Sequence, residues 1–254
     1  MNKEQLISEF RAIGIKEGMD LQVHSSLKSI GPIEGGADTI IDALLEILGQ
    51  KGTLMMSTVS GNVNPEQPVF HSNYTPSTVG ALSNIFRKRE GVIRSLHPIH
   101  SIVALGPKAE FFTEGHLEAN TPWSPDSPYG KMMRNGVKVL FLGVNFECNT
   151  CIHALEIEAR VPGLHTEKTS TLYVYDADDK LHVIEHHWHA PKKDYFINME
   201  SVMAANNGLT YGQIGTSISR LMDAETLRKV VLPILKETPD LAIKRLSDST
   251  YIWE

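Results

Sequence analysis

The stretch Asn149-Thr150-Cys151-Ile152-His153-Ala154-Leu155-Glu156 gathers more reactive side chains than any other part of the chain. Thr150, His153 and Glu156 are spaced three apart, and at about 100° per residue they share one side of a helix. A carboxylate one turn from an imidazole orients the ring and stabilises its protonated form, which suits a general base. An exposed polar helix face has the same composition, since His and Glu are common there. Position adds weight to the chemical reading. The stretch closely follows the buried apolar run Val137 to Gly143, and in open α/β sheets functional groups collect where strands end and helices begin.

Cys148 and Cys151 form a CxxC pair in the same stretch. That spacing serves redox chemistry or half a zinc site, but no second CxxC is present, and two small buried residues account for it more simply. Eleven histidines invite a metal-hydrolase reading, carried by His97-Pro98-Ile99-His100 and Glu185-His186-His187-Trp188-His189. Neither segment has HExxH spacing, so surface or internally satisfied histidines are the expectation and no metal is assigned. Val23-His24-Ser25-Ser26-Leu27 ends a strand in small polar residues. Its N–H groups and hydroxyls could hold phosphate or an amide-rich arm, and a plain turn explains it equally well. Gly35-Gly36 either binds an anion or merely starts a helix. There is no Walker loop and no GxGxxG.

The elements that must position these residues follow from periodicity. Leu6, Ile7, Phe10 and Ile13 predict a helix stopped at Gly14, and Ile40 to Leu48 predicts another. Helices are also expected over Ser77 to Arg89, Asn149 to Arg160, Tyr195 to Ala205 and Ala224 to Glu237, the last with a kink at Pro233. Buried strands are expected at Asp20 to His24, Thr53 to Ser57, Ser101 to Leu105 and Val137 to Gly143, and a hairpin at Leu172 to Glu185. Thr58 to Thr75 and Pro122 to Gly130 read as loops. Apolar strands alternating with helices predict a layered α/β domain spanning 1–254, with a mixed, mostly parallel central sheet, flanking helices and a C-terminal antiparallel hairpin.

The chain has 254 residues, a net charge of -6 and 41% hydrophobic residues. The acidic balance argues against a nucleic-acid partner. No apolar run approaches the roughly 20 residues of a membrane span, and the polar start lacks a signal-peptide core. A cytoplasmic location is expected, and the sequence leaves room for a homodimer.

Taken in order, His24-Ser25-Ser26-Leu27 with Ser29-Ile30-Gly31, Gly35-Gly36-Ala37, Gly52-Thr53-Leu54-Met55-Met56, Arg94-Ser95-Leu96-His97-Pro98 with Ser101, Ser127-Pro128-Tyr129, and Leu142-Gly143-Val144 with Asn149-Thr150, His153 and Glu156 form one pattern. From about Gly14 to about Leu221 it resembles the aminoglycoside 3-N-acetyltransferases, the antibiotic N-acetyltransferases outside the GNAT fold. The resemblance implies transfer of acetyl from acetyl-CoA to the 3-amino group of a 2-deoxystreptamine aminoglycoside, and so antibiotic resistance. It implies that Ser25, Ser26, Leu27, Arg94 and Ser95 hold the CoA arm, with Ser101 and Ser127 near it. His153 would be the base, Glu156 its orienting carboxylate, and Thr150 and His24 neighbours of the thioester. Asp194-Tyr195-Phe196 resembles a family segment, and Asp194, Tyr195 and Trp123 are candidates for the substrate. Thr58 to Thr75 carries one acidic residue, Glu66, which also admits another amino sugar as acceptor. A metal hydrolase and a non-catalytic CoA-binding protein are the remaining readings.

Overall fold

The computed structural model describes residues 1–119, 121–190, 192–194 and 196–245. Helix α1 (Lys3–Ile13) starts at an Asn2–Gln5 capping box and stops at Gly14, whose φ of 111° suits glycine. Strand β1 (Asp20–Ser25) leads through the short α2 (Leu27–Ile30) to α3 (Gly36–Leu48) and β2 (Thr53–Val59). Then come β3 (Val69–His71), α4 (Ala81–Phe86), β4 (Ile93–Arg94), β5 (His100–Leu105), α5 (Ala109–Thr113), α6 (Pro128–Met132), β6 (Lys138–Leu142) and α7 (Cys151–Ala159). A long hairpin of β7 (His165–Tyr175) and β8 (Leu181–His189) precedes β9 (Lys192–Asp194) and α8 (Asn198–Ala205). The order closes with β10 (Leu209–Ile214), β11 (Ser217–Asp223), α9 (Ala224–Glu237) and β12 (Ile243–Arg245).

Seven strands form the central sheet in the order β10-β11-β6-β1-β2-β5-β4. Only β6-β1-β2 pair in parallel, and the flanking pairs are antiparallel. Through those pairings β10, β6, β1, β2 and β4 still point one way, so the parallel expectation holds for strand direction and, in pairing, for the centre. Both faces of the sheet are apolar. Leu54, Met56, Leu140 and Leu142 pack with α1, α3 and α4, while Met55, Val139 and Phe141 pack with α6, α7 and α9. Alternation along each strand thus feeds two helical layers.

The expected hairpin is longer than its apolar runs suggest and pairs with β3 in a separate three-stranded sheet. Its Asp176–Lys180 tip accounts for the polar break. The expected loops each hold an element, β3 in the first and the start of α6 in the second, where Pro128 opens the helix and Ser127 caps it. Helix α4 is only the middle of the predicted 77–89 segment. Helix α8 begins three residues later than expected, and Tyr195 lies outside the described residues. Helix α9 runs on through Pro233 to Glu237. The β10–β11 hairpin is a departure from the sequence expectations, although Gly215-Thr216 between alternating runs is a two-residue hairpin signal. No helix of the described residues is long and apolar enough to cross a membrane.

Candidate active site

The parallel centre of the sheet ends in a cavity of about 370 Å³. His24 and Ser25 of β1, Ser57 of β2, Val144 beyond β6, and Cys148, Thr150 and His153 at the start of α7 all line it. Parallel neighbours bring their C-terminal ends to one edge, and α7 begins at that edge, so the cavity follows from topology.

His153 sits on the cavity wall with Nδ1 2.7 Å from Oε2 of Glu156. The carboxylate is buried beneath it, one helical turn on. The helix begins after Thr150 and ends where Arg160 turns left-handed at φ 59°. Glu156 therefore fixes the ring and can stabilise its protonated form. The expected Thr150, His153 and Glu156 set is brought together, with Glu156 supporting His153 from below.

Behind His153 lies an aromatic block. Trp123 packs in a tilted arrangement against His153 at 4.4 Å between ring centroids and against His100 at 4.5 Å, and His189 meets both Trp123 and His153 at 5.0 and 5.1 Å. Beyond it His97 contacts His100, His116 and His186. The two histidine segments of the sequence thus converge, and their members are chiefly packed inside. Burial lowers the pKa of His100 and His116 to about 3 and of His186 to about 4, and that of His97 well below the usual value. Trp123 is 2% exposed, which removes it as a platform for a sugar ring.

His24 stacks on Phe141 at 5.5 Å, and burial lowers its pKa to about 4. It faces the cavity as a neutral imidazole at neutral pH. Cys148 is exposed on the wall, while Cys151 is buried with its thiol pushed up to about 12. The CxxC pair is therefore split between two environments, and Cys151 is not an available nucleophile.

Several expected CoA contacts lie elsewhere. Arg94 donates to the carbonyls of Ser72 and Thr75 and to the hydroxyls of Ser60 and Ser101, at 2.6–3.1 Å. Its fork ties β4 and β5 to the 58–75 segment. Ser101 is buried and donates to the Thr58 carbonyl. Ser95 pairs with His116 Nδ1 at 2.8 Å and accepts from the Ile102 N–H. Ser127 is buried and caps α6. None of the four lines the cavity. Of the His24 to Leu27 turn, Ser25 lines it. Ser26 donates its N–H to the Leu142 carbonyl and pairs with Ser29, and Leu27 packs on the α3 side of the sheet. Gly35-Gly36 starts α3 away from the cavity. Asp194 ends β9, but its side chain lies outside the described residues. Sequence reasoning missed Ser57 and Glu147 on the wall, and it took Cys148 for a buried residue, whereas Cys148 is exposed there. A lone serine inside the apolar run Met55-Met56-Ser57 was the available signal.

His153, Glu156 and His189 offer ligand atoms within 4.8 Å of one another. Two imidazoles and a carboxylate suit zinc, although a cation would compete with the His153 contact for Glu156 Oε2.

Fold and cavity define an α/β protein with a carboxylate-supported histidine at the strand ends. The chain matches the aminoglycoside 3-N-acetyltransferase model over residues 22–236, and it belongs to that family. It is 35% identical over 182 residues to the SPbeta prophage-derived aminoglycoside N(3')-acetyltransferase-like protein YokD of Bacillus subtilis, covering 63% of this chain and 65% of that one. It is 38% identical over 161 residues to aminoglycoside N(3)-acetyltransferase IV of Salmonella sp., covering 63% and 60%. The matched regions thus span less than two thirds of these relatives. Among solved structures, the aminoglycoside acetyltransferase AAC(3)-IVa apoenzyme superposes with a TM-score of 0.82 at 28% identity, covering 94% of this chain and 90% of that one. AAC-IIIb in a binary complex with CoASH gives 0.81 at 27%, covering 94% and 97%. A histidine-to-alanine mutant of AAC(3)-IVa in complex with a gentamicin gives 0.82 at 29%, covering 94% and 89%.

Proposed function

We propose that this protein transfers the acetyl group of acetyl-CoA directly to the 3-amino group of a 2-deoxystreptamine aminoglycoside, with His153 as general base. The observation that carries the reading is the His153–Glu156 contact on the wall of the strand-end cavity. An amine is protonated and unreactive at neutral pH until a base takes a proton, and a positioned imidazole typically contributes about 100- to 10,000-fold. As the amine nitrogen attacks the thioester carbon, the carbonyl electron pair moves onto oxygen. His153 takes the amine proton, with Glu156 stabilising the imidazolium. Collapse breaks the C–S bond, and the proton passes to the departing sulfur, giving amide and CoA thiol. Family membership and the CoASH complex of AAC-IIIb support the donor. The gentamicin complex of AAC(3)-IVa supports the acceptor class. Ser25, Thr150 and His24 on the wall are the retained candidates for contacts near the thioester. One cavity framed by β1, β2, β6 and α7 supports reading the chain as a single acetyltransferase domain.

Among the described residues, the three-ligand grouping at His189 favours a metal hydrolase. A single assay separates the readings. Purified protein is mixed with acetyl-CoA and a panel of aminoglycosides, with and without EDTA, and CoA thiol release is followed for wild type and His153→Ala. Drug-dependent release that survives EDTA and is lost in the variant supports the transferase. No release with any drug overturns the aminoglycoside reading, and loss with EDTA moves the protein towards the hydrolase.

A further inference from the structure

Ser57 lies on β2, 7% exposed, and its hydroxyl oxygen is approached by two donors. Gln22 Nε2 donates to it at 2.9 Å, and the Tyr129 hydroxyl donates at 3.0 Å. A serine oxygen has two lone pairs, so both are filled, and only its own hydrogen is left to offer. With both neighbours donating, that hydrogen turns away from them. Ser57 lines the cavity. A hydroxyl that accepts from two buried neighbours and lines a cavity has its own hydrogen to offer to a ligand oxygen there.

Register says which part of the ligand this is. Val23 pairs with Met56 in the parallel β1–β2 ladder, and the next residues along, His24 and Ser57, stand beside one another on the opposite face. That is the face packed against α6 and α7, and α7 brings Thr150 and His153 to the same cavity. Gln22 and Tyr129 approach from the interior side, both fully buried. The donor is thus fixed in direction before any ligand arrives and is shielded from water, the condition under which a hydrogen bond to a developing charge is strongest.

Building on the acetyl-transfer reading, we propose that the Ser57 hydroxyl donates to the acyl carbonyl oxygen of acetyl-CoA and holds it as it becomes an oxyanion. During attack the C=O electron pair moves onto that oxygen opposite Ser57, and it returns when the C–S bond breaks. Ser57 neither gains nor loses its proton. Gln22 and Tyr129 are positioning residues that leave the serine only one direction in which to donate.

The test compares acetyl-CoA with CoASH, which lacks the acyl carbonyl and needs no acceptor to bind. Both are titrated calorimetrically into wild type, Ser57→Ala, Ser57→Thr and Tyr129→Phe. Ser57→Ala weakens acetyl-CoA by about 3- to 10-fold, the range of one neutral hydrogen bond, and leaves CoASH unchanged. Acetyl transfer by the same variant falls by about 100-fold or more, as for loss of one oxyanion donor. Ser57→Thr restores the discrimination. Tyr129→Phe, which frees one lone pair of the serine, lowers the unfolding midpoint and weakens the discrimination only in part. If Ser57→Ala weakens both ligands equally or neither, or if Tyr129→Phe reproduces its effect, Ser57 is a structural member of the triad and the proposal fails. If wild type binds neither ligand, the acetyl-transfer reading itself falls and takes this one with it.

Discussion

Trp123 lies against His153 with ring centroids 4.4 Å apart and planes tilted by 38°. The imidazole is therefore held between a carboxylate at its Nδ1 edge and an indole on its face. The indole is itself wedged by His100 and His189. Truncating a buried tryptophan to alanine typically costs about 3–5 kcal/mol, so Trp123→Ala should lose that much in denaturant unfolding. Trp123→Phe keeps a ring in the slot and should fold, with CoA release slowed because His153 is less well fixed. Equal activity in wild type and Trp123→Phe would show that the indole only fills space.

His153 and Glu156 act as a unit, so their losses should not add. His153→Ala should lower turnover by about 100- to 10,000-fold. Glu156→Gln, at a position with no exposure, should cost part of that, with little change in the KM for acetyl-CoA. The double variant should match His153→Ala. Full additivity in a double-mutant cycle would mean that Glu156 acts elsewhere.

What was legible in the sequence was what is local. Leu6, Ile7, Phe10 and Ile13 are all buried as their spacing implied, and Val137 to Gly143 contains β6. The His153–Glu156 contact is three residues long, so helical periodicity alone brings it together. The convergence of His97, His100, His116, Trp123, His186 and His189 is not local. It depends on how β5 and the β7–β8 hairpin pack, and no spacing encodes that. Arg94 shows the same limit. The family resemblance implies that Arg94 holds the CoA arm, yet its donors meet carbonyls of a segment 19 and 22 residues away. Ser57 became visible only when β1 and α6 supplied Gln22 and Tyr129.

The buried histidines fix how stability responds to acid. Burial lowers the folded-state pKa of His100 and His116 to about 3 and of His24 and His186 to about 4, against an ordinary value of 6.5. Well above pH 6.5 neither folded nor unfolded chain is protonated at these sites, and stability levels off. Below it the unfolded chain binds protons that the folded chain refuses, so stability falls with pH towards the folded values. Each such histidine costs about 1.4 kcal/mol per pH unit inside that window. Several together exhaust a typical stability of about 5–15 kcal/mol. Urea midpoints should be level from pH 8 to 7 and drop steeply between pH 6.5 and 5. A level profile down to pH 5 would contradict the buried neutral histidines.

The two cysteines should separate cleanly in native alkylation. Cys148 is exposed on the cavity wall, whereas Cys151 is buried with its thiol pushed up to about 12. The Cys148 pKa is also raised, by partial burial and then by neighbouring Glu147, so its reactive thiolate is scarce near neutrality. Iodoacetamide should add one label per chain, at Cys148, slowly at pH 7.5 and faster at pH 9. Because Cys148 shares the cavity with His153, bound CoA should slow the reaction, and Cys148→Ser should abolish it. Intact mass with peptide mapping reads this directly. Labelling of Cys151 in the folded protein would mean that α7 begins closer to solvent than the structure places it, and it would reopen the buried thiol as a neighbour of the base.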